Sequence, residues 1–514
     1  MAARTWAARQ AWKHALGAPP RSSRRRCLCR ISACRCRVSR QTIVRVMSIF
    51  PSVISGAAPL RIAVVGAGFS GAAVVVHLLR LLPAGSCVHL LERGGRFGRG
   101  LAYGTCSPSH WLNVPAGGLA LDPARPDAFV QWLQQRFPAF GAGDFVPRML
   151  LGEYFADELA AAEAEARVRG VELRRHVAEV RAIEHDGRVF HVTATGLPPL
   201  AAERVVLATG HLPPRRVALP GADWDEPGFV ADPYAPGWQA ALPDGAAVLV
   251  LGTGLSAIDV LMALQDRGHA GPVTLLSRRG LLPQAHRWLD AKPQPASVPQ
   301  PDWQHETRLR PLLRTLRRTI ADAAAQGCDW RDVMARMRPQ TPALWQRLSA
   351  RDRRQFLRHL QPWWDSHRHR LAPGIHARLT ALAAAGRVEL TAGRLQQLQR
   401  GADGRIGVRW QRRGGGMRQA AFDAVVNCTG ASAALAGSAD PLLASLCARG
   451  WLQADPLGLG LLVDDGFGVP GVPGLYYIGP MLKAQRWEAI AVPELRQHAK
   501  ALAQVLAAGA LAPA

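Results

Sequence analysis

Acidic residues are scarce in this sequence. Its 514 residues hold 38 Asp and Glu against 63 Lys and Arg, a formal charge of +25, and no acid occurs before Glu92. The imbalance is concentrated: residues 1–46 carry eleven Arg, one Lys and no acid, or +12. The basic residues beyond position 46 are dispersed and form no zinc-finger, homeodomain or RNA-binding signature, so no specific nucleic-acid partner is expected. Cysteine is also sparse. Four of the nine (Cys27, Cys29, Cys34, Cys36) sit in the basic N-terminal piece, and Cys87, Cys106, Cys328, Cys428 and Cys447 are scattered. Among those five no CxxC or CxxxxC pair occurs. That spacing excludes a disulfide framework and a dithiol relay, and it fits a reducing, cytoplasmic setting. Long apolar runs are missing as well. The most apolar stretch, 62–79, is broken by three glycines, which argues against a membrane channel.

Residues 1–46 lack the apolar core, about 7–15 residues long, that a secretory signal needs. Their Arg-rich, acid-free composition fits an organellar transit peptide. Met47 also opens a sensible start, a short tail leading straight into a first strand. Residues 1–46 are therefore read as upstream sequence translated from an early start, and 1–58 as a tail without a domain. The CxC pairs flanked by arginines are too weak a pattern for a metal knuckle, so no metal site is expected.

Two segments carry the informative chemistry. In the first, a β-branched run, Ile62 to Val65, ends at Gly66-Ala-Gly68-Phe69-Ser70-Gly71, and helix-forming residues follow. Gly66 permits a tight turn, Gly68 lets the backbone approach a pyrophosphate, and Gly71 lets helix and strand pack closely. The helix N-terminus then offers unpaired N–H groups to that pyrophosphate. A second strand, Cys87 to Leu91, ends at Glu92, where a carboxylate can accept hydrogen bonds from a ribose diol.

The second segment repeats this pattern at 247–264, with the turn Gly252-Thr-Gly254-Leu-Ser256-Ala257. Its following strand, Val273 to Ser277, leads into Arg278 and Arg279 rather than an acid. A hydroxyl and two guanidiniums suit a 2′-phosphate that a carboxylate would repel, so NADPH is favoured over NADH here. Two dinucleotide sites in one chain suggest one flavin and one nicotinamide. Each is followed later by a hydrophobic strand ending in Thr-Gly: Arg204 to Thr209-Gly210, then Ala424 to Thr429-Gly430. Such strands return the chain beneath a cofactor. The predicted fold is α/β, with two Rossmann-like domains, the nicotinamide domain inserted into a split flavin domain, and a helical insertion. The expected boundaries are 59–215 for the first part of the flavin domain and 216–300 for the nicotinamide domain. Residues 301–386 form the helical insertion, 387–430 the return strands of both domains, and 431–514 the last part of the flavin domain.

These motifs resemble the two-dinucleotide-binding flavoproteins, a set that includes flavin-containing and N-hydroxylating monooxygenases. More narrowly, Arg96-FGRGLAYG-Thr105, His110-WLNVPA-Gly117 and the segment Gly474 to Ala499 resemble the FAD/NAD(P)-binding oxidoreductases of the YdhS type. The resemblance spans roughly 59–505. It implies FAD at the first site, held by Gly66, Gly68, Gly71 and Glu92. Arg99 and Tyr103 would lie near the flavin phosphates or ring, and Asn113 would supply a polar contact beside the isoalloxazine. Gly479-Pro480 stands where related flavoproteins often carry Gly-Asp, so no side-chain bond to the ribityl chain is assigned there. The helix that follows would aim its N-terminus at the flavin pyrimidine.

The implied chemistry is hydride transfer from NADPH to FAD, with electrons passed on to oxygen or an organic acceptor. Glu203-RVVLATG-His211 is similar to an N-hydroxylating motif, with Glu for Asp and His for Tyr, and the Baeyer–Villiger fingerprint is absent. An oxygenating reaction on a small molecule therefore stays open. A flavin-binding redox sensor with little turnover is the alternative. No side chain is assigned a catalytic role. The Arg-, Leu- and Ala-rich stretch 303–387 reads as amphipathic helices, a lid or substrate wall. Within it, His367, Arg368, His369 and Arg370 suit an anionic substrate, or else form a basic face anchored by core tryptophans. No membrane association is expected.

Overall fold

Continuous β-branched runs such as Ile62-Ala-Val-Val65 are what a strand buried on both faces requires. The computed structural model describes residues 58–287, 303, 305–433, 435, 438 and 440–508, and uses such runs at the centre of two sheets. The expectations for residues 1–46 and their four cysteines lie outside the described residues. The first sheet is parallel throughout, in the order β17 (Leu475–Tyr477), β7 (Arg204–Leu207), β1 (Arg61–Val65), β2 (Cys87–Leu91) and β3 (Glu172–His176). Ile62, Ala63 and Val64 are 0% exposed. The helices Phe69–Leu81, Arg148–Val168 and Val492–Ala508 cover this sheet and share one apolar core with it. A three-stranded antiparallel sheet, β4 (Val180–His185), β5 (Phe190–Ala194) and β6 (Leu200–Ala202), precedes β7.

After β7 the chain leaves this unit and builds a second sheet. Its order is β14 (Met417–Phe422), β13 (Ile406–Arg412), β12 (Val388–Arg400), β11 (Val273–Ser277), β10 (Val248–Leu251), β15 (Ala424–Asn427) and β9 (Phe229–Val230). Strands β9, β15, β10, β11 and β12 run parallel, while β12, β13 and β14 form an antiparallel meander. All the strands between 387 and 430 join this second sheet. The expectation that they divide between two domains is corrected by that pairing, because β15 returns beside β10 and only β17 rejoins the first sheet. The two crossings between units meet in a short antiparallel pair, β8 (Leu212–Pro214) against β16 (Ala431–Ser432). No helix among the described residues is long and apolar enough to cross a membrane.

Between β11 and β12 the chain forms the helices Leu309–Ala325, Trp330–Met337, Thr341–Arg347, Ala350–Gln355, Gln361–Arg368 and Pro373–Ala384. A π-helical turn, Phe356–Leu360, joins two of them. Trp345 lies 4.3 Å, centroid to centroid, from Trp487 in the segment after β17, and its Nε1 donates to the Ala484 carbonyl at 3.0 Å. The insertion is thereby packed on the first unit.

Candidate functional site

The two glycine turns are built alike. Gly66 N donates to Leu91 O and Gly252 N donates to Leu276 O, each at 2.8 Å. On the other side, Ala208 N donates to Val65 O and Cys428 N donates to Leu251 O, again at 2.8 Å each. Both glycines have positive φ, 99° for Gly66 and 109° for Gly252. A Cβ on Gly66 would run into the carbonyl oxygen of Ala208, and one on Gly252 into that of Cys428. A β-carbon is thus excluded twice over, by backbone conformation and by the returning strand.

Gly68 and Gly254 then cap the helices Phe69–Leu81 and Leu255–Asp266, and neither helix has a side-chain N-cap. Their first N–H groups remain available to an anion. Gly71 packs against the Gly66 carbonyl too closely to admit a Cβ, whereas its counterpart Ala257 is accommodated and fully buried. Phe69 and Ser70 are buried in the first turn of their helix.

Glu92 closes the first site. Its Oε2 accepts from Ala67 N inside the glycine turn and its Oε1 from Gly94 N, both at 2.9 Å. Each oxygen retains acceptor capacity for a diol. Ser277 holds the equivalent place in the second site, with its Oγ accepting from Gly280 N at 3.1 Å. The return strands bring Thr209-Gly210 and Thr429-Gly430 to the turns. Thr429 Oγ1 donates to Asn427 Oδ1 at 2.7 Å, but Thr209 Oγ1 is buried without a protein partner. An orphaned hydroxyl beside an uncapped helix N-terminus fits a polar ligand group at the first site. The donors and the open turn therefore suit a dinucleotide.

Tyr103 lies on the short helix Gly100–Tyr103, whose Gly100 packs on the Gly68 backbone. Its ring contacts Phe155 at 5.4 Å and Phe69 at 6.5 Å, and burial pushes its phenol up to about 12. It is a packing group behind the turn, in the sense the contacts define. Arg99 is exposed. Asn113 is held through its main chain, whose carbonyl accepts from His286 Nε2 at 2.8 Å. Gly479, with φ 142°, opens a 3₁₀ turn, Pro480–Ala484, pinned by Met481 N donating to Tyr477 Oη at 3.1 Å. The helix that follows this turn starts at Val492.

At the end of β11, Arg278 and Arg279 border a pocket of about 410 Å³ together with Arg358, His359, Pro362 and Arg413. Four guanidiniums meet there, two from parts of the chain that no sequence motif linked to the site. Arg279 also spans the interface, donating to His359 O at 2.9 Å and to Arg358 O at 3.2 Å. Ser256 Oγ hydrogen-bonds with Tyr234 Oη at 3.0 Å. Tyr234 also donates to Asp259, which Arg148 of the first unit holds at 2.8 Å. Burial works against the Arg148 charge, yet Asp259 beside it keeps that guanidinium above its ordinary pKa. This lock between the units had no sequence signal, because it joins residues 111 positions apart.

Within the insertion, the basic cluster His367 to Arg370 is partly engaged by the protein itself. Arg368 is spent on Glu488 at 2.6 Å, with only 10% and 3% of the two side chains exposed. Burial drives His369 down to about 3 and Arg370 down to about 10. His367 Nδ1 donates to Trp363 O at 2.8 Å. Glu203, in the N-hydroxylating-like motif, binds Arg61 N at 2.6 Å and its guanidinium at 2.8 Å, at the start of β1 and away from the turn. Among the described residues no group of three or more His, Cys, Asp or Glu is placed to hold a metal ion.

Residues 63–212 match the model of a family described as FAD-NAD(P)-binding. The fold is that of the two-dinucleotide-binding flavoproteins. The uncharacterized protein YdhS of Escherichia coli (strain K12) is 26% identical over 257 residues. That match covers 44% of this chain and 46% of YdhS, so under half of each. Among solved structures, DfoA of Erwinia amylovora, a cadaverine monooxygenase bound to FAD, aligns over 87% of this chain and 94% of its own, with TM-score 0.58 and 13% identity. The ornithine N-hydroxylase KtzI of Kutzneria sp. 744, with reduced FAD, NADP+ and L-ornithine, aligns over 87% and 99%, with TM-score 0.57 and 17% identity. The L-lysine 6-monooxygenase of Pseudomonas syringae gives 0.54 and 18% over 88% and 100%. The chain thus carries an FAD-NAD(P)-binding domain within a flavoprotein fold.

Proposed function

We propose that this protein is an NADPH-dependent FAD oxidoreductase acting on a small organic molecule, with hydroxylation of that molecule by oxygen as its reaction. The observation that carries the reading is the duplicated turn. Gly66 and Gly252 meet their return strands identically, while the residues after the second strand differ, Glu92 in one copy and Ser277-Arg278-Arg279 in the other. The first copy then takes FAD, its pyrophosphate on the helix Phe69–Leu81 and its ribose on Glu92. Thr209 Oγ1 supplies a further hydrogen bond to the same ligand. The second takes NADPH, its pyrophosphate on the helix Leu255–Asp266 and its 2′-phosphate in the arginine pocket. Bound flavin supplies the electron-transfer chemistry, accepting a hydride and passing electrons on. The protein's part is to hold the two nucleotides in one orientation, which the Arg148–Asp259 lock and the β8–β16 pair do. The monooxygenases of similar fold favour the oxygen-dependent outcome. We place the reaction in the cytoplasm, where thiols such as Cys87, Cys106, Cys428 and Cys447 stay reduced.

The test is the visible spectrum of the purified protein. A yellow chain that NADPH bleaches faster than NADH under anaerobic conditions supports the reading. A colourless chain that cannot be reconstituted with FAD overturns it. Oxygen uptake that rises with an organic substrate separates hydroxylation from plain oxidase turnover.

A further inference from the structure

We propose that the helical insertion encloses the site for the organic substrate, and that this substrate is an uncharged molecule with an apolar, aromatic or branched hydrocarbon body. The proposal rests on the oxidoreductase reading above and names its substrate class. A cavity of about 600 Å³ lies among the helices Leu309–Ala325, Trp330–Met337 and Thr341–Arg347, the π turn and the start of the next helix. That volume falls in the range of small-molecule sites, about 300–1,000 Å³. Its walls include the indoles of Trp330, Trp345, Trp363, Trp364 and Trp487.

The polar groups of the wall decide the ligand's charge. Only Arg317, Thr341 and His367 are polar among the lining residues, and none is a carboxylate. Thr341 Oγ1 already donates to Met337 O at 3.1 Å, and His367 Nδ1 to Trp363 O at 2.8 Å. Arg317 is exposed. An ammonium group inside would lose water and find no countercharge. Apolar ligand surface buried there is instead stabilised by its removal from water. The relatives named for ornithine, lysine and cadaverine act on amines, so this wall departs from what such substrates need.

Two further observations tie the cavity to the cofactor units. Phe356 and Leu360 of the π turn line it, while the carbonyls of Arg358 and His359 in the same turn are held by Arg279 of the arginine pocket. π turns disrupt helical hydrogen bonding and concentrate at functional sites. One turn therefore serves as the wall of both the apolar cavity and the nucleotide pocket. Trp487 comes from the segment that follows the Gly479 turn of the first unit, and Lys483 Nζ sits 4.4 Å from its ring centroid. Residues of consecutive helices and one of another unit line this concave wall, as suits a compact molecule.

The experiment titrates the full chain with N-phenyl-1-naphthylamine, an uncharged apolar fluorophore. Saturable enhancement at one probe per chain, with quenching of tryptophan emission, is expected. Leu316→Trp, which fills the cavity, should weaken binding at least about tenfold, whereas Leu316→Ala, which enlarges it, should not. Both variants are checked by thermal unfolding, so that a misfolded protein is not scored. Unsaturable binding, equal affinity in the two variants, or displacement by L-ornithine overturns the proposal. So does a signal that tracks self-association on a sizing column, which would make a second copy the occupant. NADPH bleaching of wild-type flavin is read separately. Bleaching without probe binding sinks the cavity assignment alone, and probe binding without bleaching sinks the function it serves.

Discussion

The carbonyl oxygen of Cys428 lies where a β-carbon on Gly252 would have to go, and the same relation holds between Ala208 and Gly66. One constraint, repeated, supports two separable predictions. Gly66→Ala should strip FAD and leave a colourless protein. Gly252→Ala should stay yellow but lose NADPH-driven bleaching. Strain at a positive φ costs about 1–3 kcal/mol, so each affinity should fall roughly tenfold or more. Flavin content by absorbance and anaerobic stopped-flow reduction check the pair. Loss of FAD in both variants would show that the turns do not act independently.

The arginine pocket predicts cofactor discrimination. Arg278→Ala and Arg413→Ala each remove a guanidinium from the proposed 2′-phosphate site. A hydrogen bond to a charged group contributes about 1.5–3 kcal/mol, so kcat/KM for NADPH should fall about ten- to a hundredfold. NADH, lacking that phosphate, should be unaffected. Arg279→Ala should behave differently, because it also releases the carbonyls of Arg358 and His359 and so loosens the π turn. Steady-state rates with both nucleotides test this, and a parallel loss with NADH would remove the pocket from the site.

Much of this was legible because it is local. Glycine turns, the strand before each and the residue closing the next strand lie within about thirty positions, a span over which a βαβ unit fixes geometry. The destination of 387–430 was less legible, since a hydrophobic strand ending in Thr-Gly suits either sheet and only pairing decides. Arg358 and Arg413 reach Arg278 across long sequence separations, and nothing in their neighbours marks them. The partner of Arg368, in the cluster His367 to Arg370, was hidden for a different reason. Composition shows charge, but Glu488, which neutralises Arg368, lies 120 residues away. Trp363 and Trp364 of the same stretch line the apolar cavity instead.

That ion pair carries its own prediction. Arg368→Met strands the Glu488 carboxylate in a site where it is 3% exposed, and breaking a buried pair costs about 3–5 kcal/mol. Combining it with Glu488→Gln should restore much of the loss, because the stranded charge disappears. Urea unfolding of the two variants and the double mutant measures the coupling. Additive losses would mean that the pair does not act as a unit.

The last prediction concerns acid. His286 donates to the Asn113 carbonyl, stacks obliquely on Phe145 at 5.1 Å, and faces the guanidiniums of Arg370, Arg331 and Arg368. Burial, then those charges, holds it down to about 3. A free histidine titrates near about 6.5, so the unfolded chain takes up a proton that the folded chain refuses. The stabilising difference is complete above about pH 6.5 and is lost as pH falls toward 3. At about 1.4 kcal/mol per pH unit, this one residue should remove about 2 kcal/mol between pH 6.5 and 5. His286→Gln keeps a donor for Asn113 but cannot bind the proton, so its stability should fall less steeply over that interval by the same amount. Urea midpoints measured at pH 7, 6 and 5 decide the matter: parallel slopes for the two proteins would mean that His286 does not titrate with unfolding.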